Sequence, residues 1–346
     1  MSKVEYIIFA VAFVATYFGV EWFRQWTLSR GFLDHPNERS SHETPTPRGG
    51  GLVIAAVVLI SYMSGSWFLD YSVSIGFITG AVLIVAISWL DDIYSLSFGW
   101  RLLVHLVAAA FVIVDVGTFD SASIPLIEAP IYLGKVGIVI SILWIIYLVN
   151  AYNFMDGIDG IAGVQAAAAG LGWLILGLLI GLPGAVIIGG VIIFASVGFL
   201  FHNWQPAKIF MGDAGSAFLG FTFGSMPFMF RQSENANSNI LPFLALLFVW
   251  PFVFDSALTL FRRMLRGERV WTAHREHLYQ TLVISGRSHK WVSTLYGIIA
   301  LSIAVPAAFV IEPRYSHLLL PLAGVVFVST LLLITVLFRR RSATKT

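Results

Sequence analysis

The protein has 346 residues, of which 58% are apolar, 14% aromatic and only 12% charged, and its mean hydropathy is +0.83. This composition excludes an ordinary soluble globular domain and indicates a membrane protein. The absence of cysteine excludes disulfides, a thiolate nucleophile and a Cys-ligated zinc site, and the net charge of +2 says little about partners.

Eleven apolar runs approach the length needed to cross a hydrocarbon core, which is about 20 residues for a helix. They cover residues 5–20, 49–68, 73–90, 101–117, 131–149, 161–180, 184–201, 214–230, 240–261, 292–311 and 317–338. The connections are short. We therefore predict an all-α integral membrane protein in which residues 1–346 form a single polytopic domain, a bundle of about 10–11 transmembrane helices. The first run is interpreted as a retained helix, because no clear signal-peptide cleavage site follows it.

Basic residues are distributed unevenly between the two sides of this bundle. If the N-terminus lies outside, the loops 21–48, 91–101, 150–160, 202–213 and 262–291 and the tail 339–346 share one side. These segments hold 17 of the 21 Lys and Arg residues. By the positive-inside rule this side is cytoplasmic.

The first cytoplasmic loop carries Arg39, His42 and Arg48 and leads into three consecutive glycines, Gly49–Gly51. Basic side chains beside a glycine-rich helix start suit a phosphate cradle, since arginine can bind phosphate oxygens through two hydrogen bonds. An ordinary basic loop with turn residues explains the pattern equally well, so both interpretations stay open.

Asp91 and Asp92 lie at the end of the third span. Two adjacent carboxylates at a helix C-terminus are electrostatically unfavourable, because the helix dipole is already negative there. A solvated helix end is one interpretation. The other is that a positive group lies nearby, and a divalent cation between oxygen ligands would satisfy the pair.

Residues 150–163 directly follow the apolar run 131–149. They contain two amides, Asn150 and Asn153, and two carboxylates, Asp156 and Asp159. The two aspartates are three residues apart and share one face if the segment is helical. No basic residue lies near them in sequence. A metal ion or a cationic group from elsewhere therefore has to compensate them.

Asp213 lies immediately before the eighth apolar run, next to small residues that permit close approach. It suits a helix N-cap. Because Asp91–Asp92 and residues 150–163 are predicted on the same side of the membrane, we favour a metal ligand instead. Oxygen ligands suit Mg²⁺ or Mn²⁺, and Mg²⁺ is usually held by one or two carboxylates together with substrate phosphates.

The longest cytoplasmic loop, residues 262–280, contains His274, Arg275 and His277. A basic stretch resting on anionic lipid head groups is one interpretation. The two histidines beside Arg275 also suit the binding of a diphosphate. Two histidines without a third ligand make a weak metal site.

Three more polar residues lie within spans. Asp255 is either functional or paired with Arg262 or Arg263. We expect His105 and Asp115, in the fourth span, to be structural. The loop clusters, in contrast, are separated from one another by two spans each time, so they can converge on one site.

These motifs resemble those of the polyprenyl-phosphate N-acetylhexosamine-1-phosphate transferases over nearly the whole chain. The matching elements are Asp34–Arg39 with Thr44–Gly50, Asp91–Asp92, Asn153–Gly160, Phe210–Ser216 and the loop from Asp255 through Gly267 to His277. The resemblance implies transfer of a sugar-1-phosphate from a UDP-sugar to undecaprenyl phosphate at the inner leaflet of the bacterial inner membrane. It also implies release of UMP and a requirement for Mg²⁺, or Mn²⁺ in its place.

The resemblance further implies roles for single residues. Asp213 and Asp92 would be the metal ligands, and Asp91 would deprotonate or orient the lipid phosphate. Asn153 and Asp156 would hold the nucleotide and pyrophosphate, and Phe210 would stack on uracil. The implied catalytic set is Asp91, Asp92, Asp156 and Asp159, and the substrate-binding set is Arg39, His42, Arg48, Asn150, Asn153, Phe210, His274, Arg275 and His277.

The sequence departs from the family in two places. His277-Leu-Tyr-Gln280 stands where several members have His-x-His-His, and Ser95 stands near the position of a lysine found in the peptidoglycan-precursor enzyme. Both differences favour the subgroup that initiates O-antigen-type surface polysaccharides. The expected donor is a 2-acetamido-2,6-dideoxyhexose such as FucNAc or QuiNAc, or GlcNAc, carried on UDP.

The expected partners are a UDP-N-acetyl-sugar, undecaprenyl phosphate and membrane lipid, with no nucleic acid, and a homodimer stays open. The alternative function is a secondary transporter of a glycan precursor. Transporters, however, place charged groups near the middle of the bilayer and often show repeated halves. Here the acidic clusters lie at span ends, and no internal repeat is evident.

Overall fold

The structure is a computed structural model that describes residues 1–34, 44–119, 121–123, 131–231, 238–268 and 274–343. Its helices in these ranges are α1 (Lys3–Arg30), α2 (Gly51–Leu69), α3 (Ile75–Tyr94), α4 (Phe98–Val116), α5 (Val136–Met155), α6 (Ile161–Ile180), α7 (Pro183–Asn203), α8 (Asp213–Met229), α9 (Leu241–Phe248), α10 (Trp250–Leu265), α11 (Leu278–Ile284), α12 (His289–Phe309) and α13 (Leu319–Ala343). Two short antiparallel pairs complete it: β1 (Leu33–Asp34) with β2 (Thr46–Pro47), and β3 (Ser121–Ala122) with β4 (Ile131–Tyr132).

Within the described ranges, nine helical segments are long and apolar enough to cross a membrane, and the pair α9 and α10 would make a tenth. This confirms the predicted all-α polytopic fold. The predicted eighth span is the 17-residue α8. Residues 240–261, predicted as one span, are instead broken, because α9 and α10 meet at an angle of 82°.

The break between α9 and α10 has a local cause in Pro251, which lies in the first turn of α10. Proline has no N–H and cannot continue the hydrogen-bond ladder of the preceding helix. The N–H of Phe252, which would be the helical partner of the Phe248 carbonyl, donates to Val249 instead at 3.1 Å, and the buried side chain of Gln165 in α6 donates to the Phe248 carbonyl at 2.9 Å. A polar side chain from a neighbouring helix therefore satisfies the broken end.

Helix α8 lies at the centre of the bundle, packed against α3 and α5, and its residues 214–228 are all buried. Two glycines allow its neighbours to approach. A β-carbon built on Gly215 would lie 2.4 Å from the Cα of Gly51, and one built on Gly220 would lie 2.3 Å from the carbonyl oxygen of Leu148. These contacts fix the N-terminus of α8, and with it Asp213, against α2 and α5.

The chain direction brings many helix ends together at one end of the bundle. Helices α1, α3, α5 and α7 finish there, and α2, α4, α6, α8 and α12 begin there. We call this the site end, because it carries the acidic clusters described next.

Candidate active site

The acidic pair at the end of α3 is held by different partners. Asp91 Oδ2 lies 2.6 Å from Nη1 of Arg101 in α4, and its Oδ1 accepts the backbone N–H of Leu96 at 2.7 Å. Asp92 Oδ1 lies 3.5 Å from Nη1 of Arg48. The positive groups expected beside the pair are thus two arginines, one from the loop after β2 and one from α4.

Asp92 points toward the N-terminus of α8. Its side chain is only 3% exposed, and its Oδ2 would lie 3.1 Å from a β-carbon at Gly212, the residue that precedes α8. This oxygen is buried and makes no hydrogen bond of normal geometry among the described residues, although the backbone N–H groups of Asp213 and Ala214 lie close to the carboxyl. A buried, unpartnered carboxylate oxygen is costly unless a cation or donor is supplied.

The glycines that precede α2 do not form the phosphate cradle that was one of the two interpretations. The N–H groups of Gly49 and Gly50 donate to the carbonyl of Phe210, at 3.1 and 3.0 Å, and that of Gly51 donates to Met211 at 2.9 Å. Their N–H groups are therefore not available to a phosphate. They dock the start of α2 on the segment that carries Phe210, because the absence of side chains allows the two backbones to meet.

Asp213 is the first residue of α8, and the N-cap position is occupied by Gly212. Gly212 has no side chain and makes no capping bond, so the N-cap interpretation of Asp213 is wrong. Asn153, in the last turn of α5, lies beside the Asp213 carboxyl and donates to Ser216 Oγ at 3.1 Å. The carboxyl is left facing the site.

A polar cavity lies between α3, α4, α5 and α8. Asp91, Asn150, Asn153 and Asp213 line it. Its other lining residues are Ser88, Arg101, His105, Val149 and Ala217. Four residues singled out from three separate sequence motifs therefore meet around one space.

The aspartates that follow α5 diverge. Helix α5 ends at Met155, so Asp156 and Asp159 lie in a turn and not on one helical face. Asp159 accepts the backbone N–H of Ala207 at 3.1 Å through Oδ2, and its Oδ1 lies 3.3 Å from Nδ1 of His289. Asp159 thus ties the loop after α7 and the start of α12 to this turn, while Asp156 remains beside the acidic cluster.

The surroundings of Asp156 disfavour its negative charge. Burial, followed by the carboxylates of Asp213, Asp92 and Asp159, raises the pKa of Asp156 well above its ordinary value. Like charges gathered at one site have this effect, and a bound cation would reverse it. The negative charges gathered at this turn therefore favour the binding of a positive ligand.

The loop before α11 is anchored by Asp255, which is fully buried in α10. Its carboxylate accepts the N–H groups of Leu278 and Tyr279 at 2.8 and 3.1 Å and the hydroxyl of Tyr296 at 2.6 Å. His277 Nδ1 lies 3.2 Å from the same carboxylate. Asp255 therefore organises the histidine loop.

The suggested pairing of Asp255 with Arg263 is wrong. Arg263 Nη1 lies 3.0 Å from both Glu268 and Glu276. These ion pairs close the described part of the loop on itself.

The two histidines of the loop are not placed to bind a diphosphate through positive charge. Their rings lie 4.9 Å apart, and His277 is only 2% exposed. Burial, with His277 and Arg263 nearby, lowers the pKa of His274 to about 4. His274 is therefore uncharged at neutral pH and would bind a phosphate through a hydrogen bond, which leaves positive charge to arginine.

Some of the predicted residues lie elsewhere or outside the described ranges. Arg39 and His42 fall outside the described residues, and Arg275 lies beside the two histidines, partly exposed. Phe210 is partly buried, directly before Met211 and Gly212. Asp115, in contrast, accepts Ser74 Oγ and Gly76 N–H, which confirms a structural role at the opposite end.

Sequence reasoning missed Arg101 and underrated His105. Arg101 is the basic residue closest in sequence after Asp91–Asp92, and this nearness could have indicated the ion pair. His105, expected to be structural, lines the cavity one helical turn further along, with Nδ1 3.5 Å from Asn150 Nδ2. Because His105 lies within an apolar run, the sequence did not indicate that it lines the cavity.

Asp92 and Asp213 fit a divalent cation that is completed by substrate oxygens. The buried Oδ2 of Asp92 lies beside Gly212, which directly precedes Asp213 at the start of α8. Among the described residues, no three acidic or histidine side chains form a self-sufficient metal site. Two carboxylates together with phosphates are the usual magnesium arrangement.

Comparison with known proteins gives concordant matches. Residues 74–231 match the family described as Glycosyl transferase family 4. A probable undecaprenyl-phosphate N-acetylglucosaminyl 1-phosphate transferase of Bacillus subtilis (strain 168) is 28% identical, over 75% of this chain and 72% of the relative. A decaprenyl-phosphate N-acetylglucosaminephosphotransferase of Mycolicibacterium smegmatis is 29% identical, over 91% and 84%. An undecaprenyl-phosphate alpha-N-acetylglucosaminyl 1-phosphate transferase of Salmonella typhi is 24% identical, over 85% and 80%.

Proposed function

Because the chain belongs to the polyprenyl-phosphate N-acetylhexosamine-1-phosphate transferases and is thus a phosphoglycosyltransferase of the membrane, we propose that it acts on a UDP-N-acetyl-sugar and undecaprenyl phosphate. The products are UMP and a lipid-linked sugar diphosphate. The observation that carries the proposal is the cavity at the site end, where Asp91, Asn153 and Asp213 from three helices meet. A secondary transporter is disfavoured, since its charged groups would lie near the middle of the bilayer.

The reaction is a single phosphoryl transfer. An oxygen of the lipid phosphate bonds to the phosphorus that carries the sugar, and the bond from that phosphorus to the oxygen of UMP breaks. Both oxygens of Asp91 are engaged, one by Arg101 and one by the Leu96 N–H, which argues against this carboxylate as a covalent nucleophile. Catalysis of this kind depends mainly on positioning and charge stabilisation.

The arginines are the groups best placed to hold phosphates. Arg101 lines the cavity and is already paired with Asp91, so a lipid phosphate bound there would be oriented by both residues. Arg48, one-third exposed beside Asp92, is suited to the second substrate. Arginine binds phosphate oxygens through a planar fork of donors.

Magnesium, or manganese in its place, would be held by Asp92 and Asp213. The ion would neutralise the pyrophosphate and polarise the phosphorus–oxygen bond that breaks. Asp156 and Asn153 would hold the nucleotide side of the donor, and Phe210 would stack on its base. We assign the histidine loop, His274 to His277, to the diphosphate.

Two kinds of evidence bear on the donor sugar, the names of the relatives and the departures from the family motifs, and they favour different sugars. The relatives are named for N-acetylglucosamine, which makes UDP-GlcNAc the first donor to test. The departures at Ser95 and at Tyr279–Gln280 are the reason to test UDP-linked FucNAc and QuiNAc as well. In either case the product would initiate a surface polysaccharide such as an O-antigen, at the cytoplasmic face of the inner membrane.

The test is UMP release by the purified protein with undecaprenyl phosphate and a panel of UDP-sugars. We expect release with at least one N-acetylated donor, together with a labelled lipid product, loss of both with EDTA and recovery with Mg²⁺. Label from the donor trapped on Asp91 without acceptor would refute the direct attack. An undiminished rate in EDTA would refute the metal assignment.

A further inference from the structure

Tyr279, which sequence analysis noted only as a departure from the family motif, joins the histidine loop to the turn that carries Asp156. Its side chain is fully buried, and its hydroxyl donates to the carbonyl of Phe154 at 3.0 Å. The last carbonyls of an α-helix have no partner within the helix. Tyr279 supplies one of these partners at the end of α5, directly before Asp156.

The same hydroxyl occupies the space beside Gly157. A β-carbon built on Gly157 would lie 2.1 Å from the hydroxyl oxygen of Tyr279 and 3.1 Å from Cζ. Gly157 is exposed on its other side. A side chain at residue 157 therefore fits only if the hydroxyl oxygen of Tyr279 is absent. Phe154 and Gly157 lie on either side of Asp156, and both contact Tyr279.

Tyr279 is itself held in place by Asp255 of α10, the second helix of the broken pair. Its backbone N–H donates to Asp255 at 3.1 Å, and its ring stacks on His277 with centroids 5.8 Å apart and planes inclined by 18°. Asp255 also accepts the hydroxyl of Tyr296 from α12. A continuous set of contacts thus runs from α10, through the histidine loop, to the turn after α5.

We propose that Tyr279 is a positioning residue, which holds the turn around Asp156 in register with the histidine loop so that both meet the donor. This inference rests on the proposed function, because it takes the donor to be the ligand of that turn. It predicts an effect on the binding of the UDP-sugar and none on the binding of the lipid, whose proposed site is at Arg101.

The experiment is a double-mutant cycle with Tyr279→Phe and Gly157→Ala, read by steady-state kinetics. Tyr279→Phe should raise the KM for the UDP-sugar several-fold and leave the KM for undecaprenyl phosphate unchanged. Gly157→Ala should lower kcat/KM for the donor by about tenfold or more in the wild-type background, and by less than about threefold beside Tyr279→Phe, because neighbours in contact couple. The matched control is Gly324→Ala in α13, where the added methyl group meets nothing within 4 Å, and it should change neither constant in either background.

Equal damage by Gly157→Ala in both backgrounds would overturn the inference. So would a Tyr279→Phe variant that loses thermal stability or kcat while its donor KM stays unchanged, since that result describes a merely structural tyrosine. A wild-type protein that releases no UMP from any UDP-sugar would instead refute the proposed function. Melting temperatures of all variants in detergent separate these outcomes from a failure to fold.

Discussion

At the scale of single residues, the two neighbouring aspartates of α3 have different surroundings. Asp91 has one oxygen bound to Arg101 and the other to a backbone N–H, whereas one buried oxygen of Asp92 makes no hydrogen bond of normal geometry among the described residues. Arg101 satisfies the first carboxylate, whereas the second lies 3.5 Å from Arg48 and beside the backbone N–H groups that begin α8, where it can also bind a cation. Adjacent residues of identical type therefore carry separate tasks.

Replacing Asp92 with asparagine should abolish activity without unfolding the protein. The amide keeps the shape of the side chain but removes the charge that a cation needs, so we expect UMP release to fall by at least about 100-fold. The measurement is release of UMP with saturating substrates. Asp70→Asn is the matched control, because Asp70 is exposed at the opposite end and asparagine tolerates its left-handed backbone. Substantial activity in Asp92→Asn would contradict the assignment.

Asp156→Asn should stabilise the protein in a manner that depends on pH. The ordinary pKa of aspartate is 3.8, and the folded protein raises that of Asp156. Above 3.8 the unfolded chain therefore binds fewer protons than the folded one, and stability falls as the pH rises toward the folded pKa. Asparagine removes this penalty.

We expect the melting temperature of Asp156→Asn to exceed that of the wild type by more at pH 8 than at pH 5, with no metal or donor present. Asp70→Asn should show the same small difference at both values. A larger gain at pH 5 than at pH 8 would reverse the sign and refute the argument.

At the scale of elements, the site depends on how helices end. Helices α3 and α5 deliver their carboxylates and amides in the last turn or just beyond it, while α8 begins with Asp213. The break between α9 and α10 adds a further end inside the bundle, and α10 carries Asp255 to the histidine loop. The break therefore has to be stabilised within the apolar core.

Gln165→Leu tests this requirement. The substitution leaves the carbonyl of Phe248 without the hydrogen bond it receives from α6, and an unsatisfied buried acceptor costs about 1–3 kcal/mol. We expect a clearly lower melting temperature. Gln25→Leu, at an exposed position of α1, should have little effect, and equal shifts for the two variants would show that the bond does not stabilise the break.

The helices themselves were largely predictable from the sequence, and their terminal contacts were not. Apolar runs predicted the spans because hydrophobicity and length decide which segments enter a bilayer. The run 240–261 was wrongly predicted as one helix. The sequence does not show that the helix end before Pro251 is stabilised by Gln165, which lies some 80 positions away in the chain. Hydropathy contains no information about such a long-range bond.

At the scale of the whole molecule, an even number of spans between the polar loops predicted that they share one side, and the fold gathers them at one end of the bundle. The pairing of Arg48 with Asp92 followed only from the three-dimensional structure, because the two residues are distant in sequence. The same applies to Asp159, whose partner His289 is distant in sequence.

Single-cysteine labelling tests the orientation of the bundle, and the chain is suited to it because it contains no cysteine of its own. Ser97 is exposed at the site end and Ser72 at the opposite end. In membrane vesicles of known sidedness, an impermeant maleimide should label Ser97→Cys only from the cytoplasmic side and Ser72→Cys only from the other. Labelling of both from one side would refute the topology.

The position of the cavity at the helix ends also affects how the two reactants meet. Helices of about 20 residues are about 30 Å long, close to the thickness of the hydrocarbon layer, so Asp91 and Arg101 lie near the plane of the lipid head groups. In the proposed reaction, the lipid phosphate would be anchored there by its tail and would arrive by two-dimensional diffusion, whereas the nucleotide sugar would arrive from bulk water. Turnover at low acceptor levels should therefore scale with the mole fraction of the acceptor in the bilayer, whatever its amount per volume of solution.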